Sequence, residues 1–157
     1  MHSDQRLDYA AAAPDAYRAM LALGQTVKRS GLEEKLLELV FLRCSQINGC
    51  AFCLDMHGAA LRRAGESPAR LDMVAGWREA GPAFTARERA ALALAEALTR
   101  VADAGLPDAV YAEALEHFGE GGTANLAFAV AVINGWNRLA VAFRATPLSL
   151  RGRGAAA

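Results

Sequence analysis

Cys50, Cys53 and His57 stand in the pattern C-x-x-C-x-x-x-H. On a helix, residues three and four apart are neighbours, so this spacing stacks two thiols and a base on one face. Asn48 and Gly49 precede Cys50 and suit a helix start, Asn as an N-cap acceptor and Gly as a flexible joint. Cys50 is then expected in the first turn, where free backbone N–H groups and the helix dipole favour a thiolate over a thiol. The size of that effect decides reactivity: at its ordinary pKa of about 8.5 a thiol is only about 3% ionised at pH 7, whereas one lowered to roughly 6.5 is mostly thiolate. Cys53 lies one turn further in, with His57 four residues on to take or return its proton.

Glu38 is the acid nearest in sequence that can join this group. It sits in the apolar run Leu36-Leu37-Glu38-Leu39-Val40-Phe41-Leu42. Its spacing allows two readings. One is a polar stripe with Lys35 as partner; the other continues through Ser45 and Asn48 toward the turn that delivers Cys50, bringing a carboxylate that orients His57 and raises its basicity. Two thiolates and an imidazole are also three good zinc ligands, with Cys44, Glu38 or His117 as a fourth. Structural zinc sites draw ligands from two separated pairs, and the sequence holds no second pair, so redox chemistry is the stronger expectation and no metal is assigned. Cys44 reads as core, His117 as a surface or helix C-terminal residue, and His2 as part of a loose terminus. Trp77 and Trp136 read as core, with a substrate channel as the alternative role. Asn134, Asn137 and Arg138, set in an apolar helix, either meet buried carboxylates across an interface or form a solvent-facing stripe.

The elements that must position these residues all read as helices. A first helix is predicted over Ala10–Arg29 with Pro14 near its start, and a second, apolar on most faces and hence buried, over Leu32–Ile47. The motif helix runs from Cys50 to about Ala64 and stops at Gly65. Ser67 caps another, with Pro68 at its first position, that carries Leu71, Met73, Val74 and Trp77. Thr85-Ala-Arg-Glu88 is a capping box that opens a long helix through Leu98 and Val101. Pro107 starts a further helix that ends in the Gly119–Gly122 region, and Thr123 is expected to cap the last. That last helix is long and apolar, but Asn125, Asn134, Asn137 and Arg138 would each be costly in lipid, Arg at about 3 kcal/mol, so a buried helix is expected rather than a membrane span. No segment alternates with period two, and the prediction is all-α: a single-domain bundle of about six to seven helices over residues 1–150, with 151–157 a disordered tail.

Composition narrows the function classes. The chain has 157 residues, enough to bury roughly two thirds of its unfolded surface without a disulfide framework. Three cysteines, an odd number, suit a reducing compartment. The N-terminus M-H-S-D-Q-R-L-D-Y lacks the apolar stretch of a leader, so the cytoplasm is the expected location. Net charge is zero and no basic cluster precedes the tail, which argues against a nucleic-acid partner. The hydrophobic fraction of 54% is high, and the surplus is read as a subunit interface.

With these residues in view, the chain resembles the alkylhydroperoxidase D / carboxymuconolactone decarboxylase family, in its single-domain branch with cysteines. The resemblance covers most of the chain and centres on Glu38, twelve residues before Cys50, then Cys50-x-x-Cys53 and His57; the late I-N-G-W-N-R-L segment shares the family's look. It implies an all-α fold, assembly into trimers or hexamers, and a thiol-dependent peroxidase acting on hydroperoxides. By position it makes Cys53 the attacking thiolate, Cys50 the resolving thiol, and His57 with Glu38 the proton relay. No cofactor is implied; an external dithiol, lipoyl-type or thioredoxin-like, resets the pair. Phe52 stands where the best-known peroxidase members carry a His directly before the second cysteine, so the implied relay is one group shorter. Disulfide reduction, or a non-enzymatic redox-sensing oligomer of the same fold, is the alternative. The decarboxylase branch lacks the cysteine pair, which makes that activity the poorer expectation.

Overall fold

The computed structural model describes residues 5–151, and among these every regular element is helical. The helices are α1 (Tyr9–Ala12), α2 (Pro14–Lys28), α3 (Glu34–Asn48), α4 (Ala51–Arg63), α5 (Pro68–Asp72), α6 (Ala86–Thr99), α7 (Val101–Ala104) and α8 (Asp108–Phe143). Five are long, and α1, α5 and α7 are little more than a turn each. The expected tail beyond Arg151, and His2, lie outside the described residues.

α3 is the central element. Nine of its residues, from Leu36 to Ser45, are buried, and it packs against α4, α6 and α8. Burying a Leu or Phe side chain stabilises a fold by about 1.5–3 kcal/mol, so a helix apolar on nearly every face has to sit inside. Two apolar clusters form on its sides. One joins Val40, Phe41 and Cys44 to Leu94, Leu126, Val130 and Ile133, and reaches Cys50 and Cys53. The other joins Leu39 and Leu42 to Leu61, Val74, Trp77, Phe84 and Leu92. The thiols therefore belong to the core between α3 and α8.

Several expected boundaries move for identifiable reasons. The first predicted helix is two: Asp8 accepts hydrogen bonds from the Ala10 and Ala11 N–H groups to start α1, and Pro14 restarts the chain as α2. The segment after Ser67 stays α-helical only through Asp72, then tightens into a 3-10 turn over Met73–Gly76. The Thr85–Glu88 capping box forms as read, and α6 ends at Thr99 so that Val101 belongs to α7. Past Pro107 the two predicted helices form and meet at a kink at Gly119 (φ 65°, ψ 179°), within the expected Gly119–Gly122 break; α8 names the two together. Helical geometry resumes directly after that residue. Thr123 thus lies inside the helix as a buried residue and caps nothing.

α8 is long and apolar enough to cross a membrane on length and composition. Its apolar side is spent otherwise: Leu126, Ala129, Val130, Ile133, Asn137 and Ala140 are buried against α3 and α6. The connection from α3 to α4 turns on a single glycine. Asn48 ends α3, Gly49 adopts the left-handed conformation (φ 64°, ψ 32°), and Cys50 begins the next helix from extended backbone. An L-residue in that conformation costs about 1–2 kcal/mol. Gly49→Ala is therefore expected to lower unfolding stability by about 1–2 kcal/mol, measured as a drop in urea midpoint at unchanged slope.

Candidate active site

α3 and α4 form a hairpin about Gly49, and residues on its two arms meet, the α3 member of each pair lying three positions further from the hinge. Close to it, the Cys50 N–H returns to the Ser45 carbonyl at 3.0 Å. Further out, Glu38 Oε2 meets His57 Nδ1 at 2.7 Å. The sequence places Glu38, Cys50, Cys53 and His57; the hairpin gathers them.

Cys50 is the N-cap of α4 itself, one position earlier in the helix than expected, and its Sγ accepts the Cys53 N–H at 3.3 Å. The sulfur thus occupies the place of the usual capping oxygen, where a free helix N–H favours negative charge. Asn48, expected as the cap, is the last residue of α3. Its amide instead donates to Asn134 Oδ1 at 3.0 Å and Asn137 Oδ1 at 2.9 Å. Hydrogen bonding from Cys53 lowers the Cys50 pKa to about 7, against opposition from burial, with Asn137 adding to the effect. The same contact pushes Cys53 up, helped by burial and by the charge on Cys50. Cys50 is therefore the thiol that ionises first, at about pH 7, while Cys53 keeps its proton. Cys44 differs: burial pushes its thiol up to about 11, and it accepts a hydrogen bond from Thr99 Oγ1 at 3.2 Å. It is core, as expected.

Asn137 is fully buried on α8 and interacts with both thiols. Its Nδ2 also donates to Ser45 Oγ at 3.0 Å, and Ser45 Oγ donates to the Phe41 carbonyl at 2.7 Å. Asn134 donates to Thr99 Oγ1 at 3.0 Å and accepts from Arg138 at 2.9 Å. These three polar residues were expected to meet carboxylates across an interface or to face solvent. Asn134 and Asn137 form a network inside one chain that clamps the thiol turn, because a buried amide left unpaired would cost about 1–3 kcal/mol, whereas Arg138 faces solvent, in line with the second reading.

Glu38 is buried, and burial opposes its charge, but hydrogen bonds from His57 and Lys28 outweigh that and hold its carboxyl below the usual range. Lys28 Nζ lies 3.0 Å from Glu38 Oε1. Lys35, the expected partner, pairs with Glu66 at 3.0 Å instead. With Nδ1 held by Glu38, His57 turns Nε2 into the interior, where it is buried without a hydrogen-bond partner. The imidazole thus reaches neither thiol directly, although it shares their helix face.

Both sulfurs are almost fully buried, yet each lines a cavity. Cys53 lines one of about 210 Å³ with Tyr9, Tyr17, Phe52 and Trp136. Cys50 lines another of about 200 Å³ with Gly49, Phe52 and Arg144. Phe52 stands in both walls and so separates the two sides of the pair. Trp136 is a cavity wall, whereas Trp77 is core, its Nε1 donating to Glu96 at 2.9 Å. Tyr9 was not singled out in the sequence. Burial first, then the nearby Tyr17 and thiol charges, raise its pKa, and nothing in its local spacing signals a position beside Cys53. His117 lies elsewhere, its carbonyl accepting from Arg87. Among the described residues no three His, Cys, Asp or Glu side chains gather as a metal site.

Comparison with known proteins agrees with this architecture. Residues 14–97 match the carboxymuconolactone decarboxylase family. The uncharacterized protein YdfG of Bacillus subtilis is 35% identical over 138 residues, 88% of this chain and 93% of its own length. A crystal structure of a protein of unknown function from Agrobacterium tumefaciens, described as a putative antioxidant defence protein AhpD, superposes with a TM-score of 0.87 at 40% identity, covering 92% of this chain and 98% of that one. An uncharacterized peroxidase-related protein from Ralstonia eutropha with an alkylhydroperoxidase AhpD core gives 0.76 at 27% identity, covering 88% and 73%.

The ionisation of Cys50 is directly measurable. As pH rises through about 7 the protein is expected to gain one thiolate per chain, read from ultraviolet absorbance, and to lose it again below that pH. Cys53→Ala removes the main donor to Cys50 and is expected to move this transition up by about one pH unit, equivalent to about 1.4 kcal/mol of lost anion stabilisation.

Proposed function

Because the chain belongs to the carboxymuconolactone decarboxylase family and sets a Cys-x-x-Cys pair beside a Glu–His pair, we propose that it is a dithiol-dependent reductase of organic hydroperoxides. What carries this reading is the placement of the pair: Cys50 caps α4, where its Sγ accepts the Cys53 N–H and its pKa is lowered to about 7, and the two cysteines line separate cavities. A structural cysteine needs neither a lowered pKa nor a cavity. The peroxidase-related descriptions of similar structures point the same way.

In this mechanism the proton on Cys53 passes to Cys50 along their hydrogen bond. The Cys53 thiolate attacks the terminal oxygen of the hydroperoxide, an S–O bond forms, and the O–O bond breaks. The departing alkoxide takes the Nε2 proton of a His57 ring that carries protons on both nitrogens, leaves as the alcohol, and the ring regains that proton from solvent before the next turnover. Glu38 keeps Nδ1 of the imidazole protonated, and Lys28 holds the carboxylate in place. Cys50 then attacks the sulfenic acid, expelling water and closing a disulfide. An external dithiol, lipoyl-type or thioredoxin-like, reduces that disulfide by exchange at Cys50, whose cavity lies on the far side of Phe52. The chemistry suits a reducing compartment such as the cytoplasm.

Phe128 and Val141 are more than half exposed on α8, apolar surface that a homo-oligomer, a trimer or hexamer, would cover. A second reading, disulfide reduction, draws support from Cys50 alone, because a lowered thiol at a helix start is suited to attack a disulfide.

A steady-state assay across hydroperoxides, disulfides and dithiols tests the proposal. Cys53→Ser is expected to abolish peroxide turnover, and Cys50→Ser to leave a sulfenic acid on Cys53 that a dimedone-type reagent labels. Labelling of Cys50 in the Cys53→Ser protein would instead reverse the roles. Glu38→Gln is expected to lower kcat by about 100-fold, within the range for loss of general acid–base assistance; an unchanged kcat would remove the relay from the mechanism.

A further inference from the structure

The cavity beside Cys53 adjoins a second one. His57 lines the second, of about 250 Å³, and Leu21, Met56 and Trp136 line both. Apart from His57, Gln25 and Lys28, the second cavity is walled by apolar side chains and by Gly24. Lys28 is held at its edge by Glu38. His57 thus lines an apolar cavity while its Nε2 is buried without a hydrogen-bond partner.

We propose that this second cavity binds the organic group of the hydroperoxide, that it is sized for an aryl or tertiary-alkyl group, and that Gly24 sets its depth. The inference rests on the peroxidase reading and adds a direction to it. The nucleophile takes the terminal oxygen, so the other oxygen and its carbon substituent must lie toward the proton donor. Cys53 lines one cavity and His57 the next, so the R–O fragment lies on the His57 side of Met56. There the alkoxide leaves with a proton on its oxygen and its carbon group already in apolar surroundings. Hydrogen peroxide has no such group and gains nothing from the cavity.

Volume sets the size of the group the cavity can surround. An apolar cavity of about 150 Å³ takes benzene; by the same ratio about 250 Å³ has room for roughly ten carbons. Cumene hydroperoxide, an aryl group on a tertiary carbon, is of that size. Gly24 supports the assignment from another side. It lies inside α2, where glycine is the least favoured residue after proline. A Cβ there would meet only Val132 Cγ1, at 3.7 Å, so packing does not require a glycine. Its missing side chain leaves open the space that the organic group would fill.

The test is a graded series, Gly24→Ala and Gly24→Leu beside the unmodified protein, assayed with cumene hydroperoxide and with hydrogen peroxide. The ratio of kcat/KM for cumene hydroperoxide to that for hydrogen peroxide is expected to fall in the order Gly, Ala, Leu, with Leu lower by at least about tenfold, the scale on which apolar pockets discriminate. Gly24→Ala keeps the series informative should the leucine protein not fold. In parallel, the alcohol product, 2-phenyl-2-propanol, is titrated into the Cys50→Ser/Cys53→Ser protein with tryptophan fluorescence as the readout. Quenching that Gly24→Ala weakens and Trp136→Phe removes supports the site. A ratio unmoved across the series, in a protein that turns over both peroxides, overturns it. Failure of the unmodified protein to turn over either peroxide sinks the peroxidase reading instead, and alcohol binding then decides alone whether the cavity takes such a group.

Discussion

Two helices joined through one left-handed glycine have to fold back on each other, and the distinctive chemistry of this chain depends on that turn. The Gly49 hinge puts Ser45 opposite Cys50 and Glu38 opposite His57. It also makes Cys50, rather than a serine or asparagine, the residue that caps α4. A sulfur in that place accepts a backbone hydrogen bond that stabilises its anion more than its neutral form. One backbone conformation thereby sets both the protonation of the thiol pair and the meeting of acid with base. The helices packed around α3 hold the hinge but do not create it.

Two buried glutamates show how similar electrostatics yield different outcomes. Glu96 is bound by Arg43, by Arg78 and by the Trp77 indole. Hydrogen bonds from these three hold its carboxyl low against burial. It acts as a tie between α6, α3 and the Trp77 segment. Glu38 is also held low by two partners, but one of them is an imidazole with a second nitrogen. That nitrogen is buried without a partner, on a residue that lines an apolar cavity. A buried charge whose network is complete is a structural device, whereas one whose network ends on an orphaned atom has something still to bind.

Asn137 links the hinge to the rest of the bundle. It comes from α8, far along the chain, and reaches Ser45 and Asn48 on α3 while acting on both thiols. Its place explains why an apolar helix long enough for a membrane carries amides on its buried face. Those amides complete the polar groups of the thiol turn, which would otherwise be stranded in the core.

Much was legible in the order of residues. Local chemistry marked the helices through Pro14, the Thr85–Glu88 box and Pro107, and the i, i+3, i+7 spacing put Cys50, Cys53 and His57 on one face. Glu38, Ser45 and Asn48 were traceable as a stripe toward the same turn. What the sequence could not convey is which distant elements close over that stripe. Lys28 displaced Lys35 as the partner of Glu38, Tyr9 arrived beside the thiols on a one-turn helix, and Asn137 turned inward rather than toward an interface. Periodicity and capping act over a turn or two of backbone, so they are written into neighbouring letters. The pairing of buried polar groups depends on which helices touch and at what height, and that is settled only when the whole core packs.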